Sequence, residues 1–339
     1  MKKHLEITIH HLARELKISA STVSRALNDN DRISEETRKR VQQKAIEMGY
    51  RPNVLAANLR SKRSMTIGVV VPRIDRYFFS SAISGIEDYA WTKGFSVIIS
   101  QSNDLLIKEA NCVRNLYNNR VDGLIISISM QTNEDKHLRL FSERNIPILF
   151  FDRFCPTIKS DRILVDDFNS GYKITSHLIE RGCKRIAHIA GPELLNIYKD
   201  RKDGYLKALN DVGIPIPEGY LEVTGLTKEE GKQAFSRLMS LPNPPDGVFC
   251  GNDTTALSAL EYCQKYQLRV PEDVALVGFS DEPFSSAVTP SLSTVKQPGY
   301  EMGFLAAQKI IHRIENINSV IPFEEIVLPA QLIIRNSSI

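Results

Sequence analysis

Ten residues near the start of the chain, 19–28, combine small hydroxylated side chains with one arginine at helical spacing. Val23, Ala26 and Leu27 fall on one face of the predicted helix and can pack inward. The opposite face is small and polar, and it carries Ala20, Ser21, Ser24, Arg25 and Asn28. Hydroxyl and guanidinium groups on so narrow a helix can hydrogen-bond to base edges in the DNA major groove. This stretch is therefore predicted to read base sequence.

A second group of polar side chains follows apolar runs that are expected to be β-strands. They include Asp75, Ser127, Asp152 with Arg153, Asn252 with Asp253, and Ser280 with Asp281, and Arg201 opens a nearby helix. Because the ligand crevice of a parallel sheet lies beyond the carboxyl ends of its strands, these groups should converge. With Phe78 and Phe79 they would line a polar pocket with aromatic walls, which suits a sugar or another small polar metabolite. Any one of them could instead be a helix N-cap or a turn residue.

Neighbouring helices must position the base-reading stretch. Residues 8–16 predict a capped helix whose apolar side chains repeat at i, i+3, i+4 and i+7. Only Lys17 and Ile18 separate this helix from the next, which Ser19 can cap, and such a pair is the helix-turn-helix pattern. Ser34 can cap a third helix that Gly49 ends. The first fifty residues therefore predict a small three-helix domain.

Residues 50–60 predict one further short helix, because Pro52 can start it and alanines and leucines follow. A helix of about two turns is marginal in water, so this segment needs a partner surface. One interpretation is a linker helix docked on the body of the protein. The other is a segment that folds on DNA and inserts Leu59 into a base step.

From Thr66 onward, short apolar strands alternate with amphipathic helices, and the alternation restarts near Ile163. Such a pattern is typical of parallel sheets covered by helices on both faces. It predicts two similar α/β units followed by a short strand, a long helix over Gly299–Glu315 and two last strands.

The charge of the chain is distributed unevenly, although its formal net charge is only +3 over 339 residues. Residues 1–64 hold 14 Lys/Arg and 7 Asp/Glu, a net charge of +7, and the remainder carries −4. This asymmetry is typical of a small nucleic-acid-binding head on a regulatory body. A solvated basic terminus is the alternative.

The five cysteines are scattered without a C-x-x-C pair, which argues against a disulfide framework or zinc site and for a reducing compartment. The chain starts without an apolar signal segment, and no apolar run approaches the roughly 18 residues that a membrane span needs. We expect a cytoplasmic, nucleoid-associated protein with no membrane partner. Phosphate-binding, dinucleotide-binding, nucleophile-elbow and zinc-protease motifs are missing from the sequence, so no cofactor, metal or enzymatic activity is expected.

Almost the whole chain resembles the lactose/galactose-repressor (LacI/GalR) family of bacterial transcription regulators. The motifs that carry the resemblance are T-V-S-R-A-L-N at 22–28, G-Y-R-P-N-V-L-A at 49–56, F-D-R at 151–153, D-R-K-D-G-Y at 200–205, C-G-N-D at 250–253 and V-G-F-S-D at 277–281. The family fold is an all-α helix-turn-helix head of three helices plus a hinge helix. An α/β core like that of periplasmic binding proteins follows, built from two doubly wound parallel-sheet subdomains.

The resemblance implies four segments of chain. They are a helix-turn-helix domain over 1–52, a hinge helix and linker over 53–64, an N-terminal core subdomain over 65–162 plus 294–322, and a C-terminal core subdomain over 163–293 plus 323–339. It also implies a homodimer that binds a pseudo-palindromic operator, with an effector between the two subdomains.

For DNA binding, the resemblance implies base contacts from Ala20, Ser21 and Arg25, with Arg25 bidentate to a guanine as the main reader. Leu59 matches the intercalating leucine of the family, and Ala56 and Asn58 would lie beside it in the minor groove. Contacts to the DNA backbone would come from Thr8, Thr22, Ser24, Asn28 and Tyr50.

For the effector, the implied positions are Phe78, Phe79, Asp152, Arg201, Asn252 and Gln297, with Asp75 and Arg153 beside them. One departure matters, because many members carry an acidic residue where this chain has Ser280. Either this chain lacks the carboxylate that would accept a sugar hydroxyl at position 280, or Asp281 takes over that role. The sequence therefore predicts a small polar effector, such as a sugar, without naming it.

Two other classes of protein share part of this pattern. A sugar-binding or transport protein has a similar two-unit core, but the basic head and the missing signal segment oppose that interpretation. An enzyme is opposed by the missing motifs, and Asp166 and Asp167 are poor candidates for an acid–base pair because neighbours in an extended segment point to opposite faces. The resemblance favours a repressor, while activation, the effector's identity and its direction of action stay open.

Overall fold

A computed structural model describes residues 7–27, 31–50 and 63–339 of the chain. Two compact units are separated at the 64/65 junction: a head, Met1–Ser64, and a core, Met65–Ile339. Each unit has its own hydrophobic cluster.

The described part of the head contains three helices: α1 (Ile9–Leu16), α2 (Ala20–Leu27) and α3 (Glu35–Glu47). Leu12, Val23 and Val41, one from each helix, are fully buried and meet in the centre. The connection between α1 and α2 is tight because Lys17 adopts a left-handed conformation with φ +54°. As predicted, Ser19 caps α2 by accepting a 3.1 Å hydrogen bond from the Thr22 amide.

The first sheet of the core has six parallel strands, namely β1 (Thr66–Val71), β2 (Ser96–Gln101), β3 (Gly123–Ile126), β4 (Ile148–Phe151), β5 (Asp161–Val165) and β11 (Glu325–Leu328). Their order across the sheet is β11-β5-β4-β3-β1-β2. Helices cover both faces, namely α4 (Tyr77–Thr92) and α11 (Gly299–Glu315) on one and α5 (Leu106–Asn118) and α6 (Lys136–Ser142) on the other. Alternate residues of β1 pack on opposite faces, as in a doubly wound sheet.

The second sheet has four parallel strands, namely β6 (Ile186–Ala190), β7 (Leu221–Val223), β8 (Gly247–Cys250) and β9 (Ala275–Val277). Their order across the sheet is β7-β6-β8-β9. Its helices are α7 (Asp167–Glu180), α8 (Asn196–Asp211), α9 (Lys228–Met239) and α10 (Asp253–Tyr266). The predicted fold class, a helical head followed by two doubly wound parallel sheets, is confirmed.

The sheet pairing corrects the subdomain bounds expected from the sequence. Strand β5 lies across the expected boundary at 162/163, and its residues Asp161–Ile163, on both sides of that boundary, pair with β4 in the first sheet. Strand β11 falls in the segment 323–339, which was assigned to the second subdomain, yet it pairs with β5. The physical reason is the row of backbone hydrogen bonds left open by β5, which β11 satisfies as the edge strand.

Two further strands, β10 (Thr294–Lys296) and β12 (Gln331–Ile333), form an antiparallel pair of their own. A bridge between Ser293 and Val277 continues this pair onto the second sheet. The chain was expected to return to the first subdomain from Thr294 onward, but the strand that contains Thr294 is connected to the second sheet. Helix α11 makes the predicted return to the first sheet.

Reciprocal glycines bring the helices of each subdomain into close contact. A Cβ on Gly85 of α4 would overlap the Tyr300 carbonyl of α11, and one on Gly303 of α11 would overlap the Ala82 carbonyl of α4. In the second subdomain, a Cβ on Gly171 of α7 would overlap a backbone carbonyl of α8, and a Cβ on Gly204 of α8 would overlap a backbone carbonyl of α7. The glycines therefore fix the close approach of α4 to α11 and of α7 to α8.

Candidate functional site

Helix α2 presents the two strongest predicted base readers to solvent. Ser21 and Arg25 are exposed, while Val23 and Ala26 beneath them are fully buried. Ala20, which was expected on the outer face, is half-buried and packs against the hydrophobic cluster of the head. It lies there because the first turn of α2 sits directly on the helices below. Ser24 is half-buried.

The residues predicted to contact the DNA backbone are exposed or half-buried where the structure describes them. Thr8 is exposed at the start of α1, where its amide donates to His11 Nδ1 at 3.0 Å. Thr22 is half-buried, and its hydroxyl lies 2.8 Å from that of Ser19. Tyr50 is half-buried and packs against the head's hydrophobic cluster. Asn28, Ala56, Asn58, Leu59 and the expected hinge helix lie outside the described residues.

In the core, a cavity of about 450 Å³ lies between the carboxyl ends of the two sheets. It brings together seven of the nine predicted effector residues: Phe78, Phe79, Asp152, Arg153, Arg201, Asn252 and Gln297. The polar residues that follow the strands converge as expected, because β1, β4, β8 and β10 all end at this cleft.

Arg201 reaches the cleft from the first turns of α8 and is held rigidly. Its Nε donates to Asp167 Oδ1 at 2.7 Å and its Nη1 donates to the Gly251 carbonyl at 3.1 Å. The guanidinium lies 3.5 Å from the centroid of the Phe279 ring. Burial raises the pKa of Asp167, and the positive charge of Arg201 opposes that shift. The remaining guanidinium nitrogen, Nη2, is therefore presented in a fixed orientation.

Arg153 and Asp152 form a second buried pair at the end of β4. Arg153 Nη1 donates to Asp104 Oδ1 at 2.6 Å, and its Nε lies 3.5 Å from Asp152 Oδ2. Asp152 also accepts a 3.2 Å hydrogen bond from Ser127 Oγ and takes a left-handed φ of +62°. Burial raises the pKa of Asp152, and the charges of Arg153 and Arg201 counter it. This carboxylate has acceptor capacity left for a ligand hydroxyl.

Asn252 lines the cleft and is also a helix cap. Its Oδ1 accepts from the Thr255 amide at 2.8 Å and its Nδ2 donates to the Leu226 carbonyl at 3.0 Å. Asp253 beside it is fully buried and accepts from Thr294 Oγ1, Ser285 Oγ and the Glu282 amide. Burial raises the pKa of Asp253 to about 6. Asp253 therefore fixes the loop that follows β9, while Asn252 holds the start of α10 to the loop that follows β7.

Two predicted effector residues are not brought to the cleft. Asp75 is exposed and lies outside the cavity lining. Asp281 is also outside, because its Oδ1 accepts a 2.8 Å hydrogen bond from Arg335 Nη2 near the end of the chain. The hypothesis that Asp281 replaces an acidic residue at position 280 therefore has no support, and Glu282 is the carboxylate of this loop that lines the cleft.

Four contacts cross the cleft and join the two subdomains. On one side, Arg76 Nη1 donates to Thr254 Oγ1 and the Tyr77 amide donates to Glu282 at 3.3 and 3.4 Å. On the other side, Asn196 Nδ2 donates to the Asp152 carbonyl at 3.0 Å and Asn196 Oδ1 accepts from the Phe154 amide at 3.4 Å. These hydrogen bonds therefore join the two subdomains close to the cavity.

Comparison with known proteins identifies the family. The family profile described as "Bacterial regulatory proteins, lacI family" matches residues 8–53, and that of the periplasmic binding protein-like domain matches 175–338. The HTH-type transcriptional repressor CytR of Escherichia coli (strain K12) is 34% identical over 303 residues, which cover 89% of this chain and 88% of CytR. The chain belongs to the LacI family of bacterial regulatory proteins.

Other relatives agree with this assignment. The probable HTH-type transcriptional repressor ExuR of Bacillus subtilis (strain 168) is 34% identical, with 98% of each chain covered. The Lac repressor dimer bound to operator and the anti-inducer ONPF has a TM-score of 0.86 at 26% identity, covering 98% of this chain and 99% of that one. The transcriptional regulator CelR in complex with cellobiose has a TM-score of 0.74 at 27% identity over 98% and 99%. The protein is a DNA-binding transcriptional repressor, not an enzyme.

Several residues that line the cleft of this LacI-family protein were not predicted from its sequence. Tyr198 stands between Arg153 and Arg201, with its ring centroid 5.9 and 5.6 Å from the two guanidinium carbons. A signal existed, since Gly191 leaves the space that the Tyr198 ring fills. Further missed lining residues are Arg73, Arg76, Asn103, Asp104, Gln131, Thr254 and Glu282. They lie two to five residues beyond the ends of β1, β2, β3, β8 and β9.

Within residues 7–27, 31–50 and 63–339, no cluster of three or more His, Cys, Asp or Glu residues is arranged to hold a metal ion. Among the helices described there, none combines the length and apolar character that crossing a membrane requires.

Proposed function

We propose that this repressor binds a small polar effector, such as a sugar or a related metabolite, in the cleft between its core subdomains, and that the effector sets its affinity for operator DNA. The observation that carries the proposal is the cavity of about 450 Å³ at the carboxyl ends of both sheets. Its walls combine aromatic rings with a few fixed charges and amides, which is the composition of a site for a polar ligand.

Effector binding at this position would act directly on the contacts between the subdomains. Asp152, Thr254 and Glu282 line the cavity and also take part in bonds that cross it. A ligand that touches both walls has different contacts in the open and closed arrangements. Only such differential affinity can shift the balance between two states, typically by about 1–3 kcal/mol.

For DNA, we propose that two copies of the chain form a homodimer that reads a pseudo-palindromic operator in the cytoplasm. Arg25 would donate to a guanine and Ser21 would assist, because both are exposed on α2. The proposal also includes DNA contacts from Ala20, Thr8, Thr22, Ser24, Asn28 and Tyr50. It further includes a wedge in the minor groove that is formed by Leu59 with Ala56 and Asn58. The solved Lac repressor dimer on its operator supports this arrangement.

The test combines ligand discovery with operator binding. A thermal-shift screen of sugars and nucleosides on the full chain should find a compound that stabilises the protein by mass action. Operator affinity is then measured with and without that compound, in the parent and in Arg201→Met, which removes the buried guanidinium of the cleft. We expect a change of about 5- to 150-fold in operator affinity for the parent and a loss of that response in the variant. A compound that stabilises the parent but leaves its operator affinity unchanged would contradict effector gating.

A further inference from the structure

Glu282 is a cleft carboxylate that belongs to one subdomain and bonds to the other. It follows β9 in the second subdomain, is 9% exposed and lines the cavity. Both of its carboxylate oxygens lie within hydrogen-bond distance of the Tyr77 amide, at 3.3 and 3.4 Å. Tyr77 is the first residue of α4 in the first subdomain. One side chain therefore connects the ligand cavity with the contact between subdomains.

The Tyr77 amide depends on Glu282 for its hydrogen bond. The first amides of an α-helix have no acceptor within the helix, so they need a partner from elsewhere. Within α4, the Ser80 amide is already satisfied by the Arg76 carbonyl at 3.0 Å, whereas Tyr77 donates across the cleft. A carboxylate at this end of the helix is also favoured by the helix dipole.

The backbone around Glu282 is held independently of its side chain. Its amide donates to Asp253 Oδ2 at 2.8 Å, and the preceding Asp281 is paired with Arg335. Ser280 and Asp281 adopt positive φ values of +116° and +52°, which turn the chain so that residue 282 projects into the cleft. Substitution of the Glu282 side chain therefore leaves the bonds that shape this loop in place.

The charges around the cavity favour a ligand without net charge. Arg153 is paired with Asp104 at 2.6 Å and Arg201 with Asp167 at 2.7 Å, so both buried guanidinium groups are already compensated. Asp152 and Glu282 add two carboxylates to the lining, and the half-buried Arg73 and Arg76 add two guanidinium groups. Positive charge is therefore not in excess around the cavity, and an anionic ligand would gain no net attraction to offset the loss of its hydration. A ligand hydroxyl could donate to either carboxylate.

We propose that Glu282 is the effector-sensing carboxylate of this protein, holding the first subdomain through Tyr77 and accepting a hydroxyl group of an uncharged polar ligand with its remaining lone pairs. An ionised carboxylate can accept about four hydrogen bonds, and the Tyr77 amide supplies one donor. The ligand part of this inference rests on the proposed effector role of the cleft, while the contact with Tyr77 does not.

The contact between Glu282 and the Tyr77 amide is tested by using NMR to measure amide hydrogen exchange in the full chain, without ligand or DNA. In Glu282→Ala, we expect the Tyr77 amide to exchange at least about tenfold faster than in the parent, because a hydrogen bond to a charged acceptor is lost. Glu282→Gln keeps one acceptor oxygen and should give a smaller increase. The control Glu272→Gln changes an exposed carboxylate at the opposite end of β9 and should leave Tyr77 unaffected.

The Ser80 amide provides the internal reference for these measurements. It should exchange at the parental rate in every variant, since its acceptor lies within its own helix. Equal exchange of Tyr77 in the parent and in Glu282→Ala would overturn the proposal. An equal acceleration of Tyr77 and Ser80 would also overturn it, because the whole helix end would then be loosened rather than one bond lost.

The ligand class is tested with matched pairs of probes by isothermal titration: D-glucose against D-glucuronate, ribose against ribose 5-phosphate, and cytidine against cytidine monophosphate. We expect the neutral member of a binding pair to bind at least about tenfold more tightly than its anionic counterpart, and Glu282→Ala to weaken its binding about tenfold or more. Tighter binding of an anionic member, or unchanged binding in Glu282→Ala, would overturn the proposal. If no probe binds, the ligand part fails together with the proposed effector class, and the Tyr77 exchange still decides whether Glu282 bridges the cleft.

Discussion

Arg25 shows how far a single residue can be interpreted from its position on a helix. It is exposed on α2 because Val23 and Ala26, at helical spacing from it, are fully buried in the head. Burial of these two apolar side chains fixes the rotation of α2 and therefore the direction in which Arg25 points. The neighbouring Ser21 shares that exposure.

Replacing Arg25 with alanine should relax base preference at one position of each operator half-site, at a cost of about 1–3 kcal/mol in affinity for the preferred base. The measurement is binding to a set of operators that carry single base-pair substitutions. Lys39→Ala is the control, since it removes an exposed positive charge from α3 and should leave base preference unchanged. If Arg25→Ala discriminates among the operators as the parent does, Arg25 does not read a base.

His188 allows a prediction of pH dependence. It is 1% exposed in β6, its Nδ1 donates to the Phe249 carbonyl at 2.9 Å, and its ring stacks on Phe249 at 4.1 Å between centroids. Burial lowers the pKa of His188 from 6.5 to about 4, so the unfolded chain binds a proton more readily than the folded protein between these values. The contribution of His188 to the free energy of unfolding is therefore complete above about pH 6.5, and it is lost as the pH falls through about 4.

We expect the free energy of unfolding to fall by about 3 kcal/mol between pH 7 and pH 4 on account of His188 alone. Urea denaturation at both pH values measures it, with His188→Gln expected to remove this part of the pH dependence. The exposed His312, changed to glutamine, should preserve the parental dependence. The same pH dependence in His188→Gln and the parent would show that the folded state protonates His188 as easily as the unfolded chain does.

At the scale of elements, the alternation of apolar strands and helices predicted both sheets, because the inner strands of each sheet are buried on two faces by helices. Membership of a sheet was harder to predict. Strand β5 belongs to the first sheet because it pairs with β4, and β11, which is far away in sequence, joins that sheet only by pairing with β5. The spacing of the helices depends on glycines whose role becomes visible once two helices are adjacent.

Gly303→Ala should destabilise the core by at least about 2 kcal/mol, because the new methyl group would overlap the Ala82 carbonyl and push α11 away from α4. Urea denaturation of the full chain measures the effect. Ser84→Ala, an exposed position on α4, is the matched control and should stay within about 0.5 kcal/mol of the parent. A Gly303→Ala protein as stable as this control would mean that α4 and α11 can separate at little cost.

At the scale of the whole molecule, the uneven charge of the chain leads to a prediction about salt. The first 64 residues carry a net charge of +7 and the rest carries −4. A head that neutralises about six phosphates per complex should show a slope near −5 when the logarithm of operator association is plotted against the logarithm of salt concentration. Non-operator DNA should give a similar slope at lower affinity, since phosphates carry no base sequence. A slope shallower than about −2 would contradict a phosphate-dominated interface.

The sequence by itself determined the local features of this LacI-family repressor: the capped helices of the head, the buried and exposed faces of α2, and the strand ends that supply the cleft. These follow from hydrophobic periodicity and capping, which act over a few residues. Tertiary structure decided how the polar side chains are used. Asn252 caps a helix at the cleft, Asp281 is taken by Arg335, and Glu282 becomes the cleft carboxylate that reaches Tyr77. The physical reason is that a hydrogen-bonding group acts through its partner, and these partners are brought near by packing of segments distant in sequence.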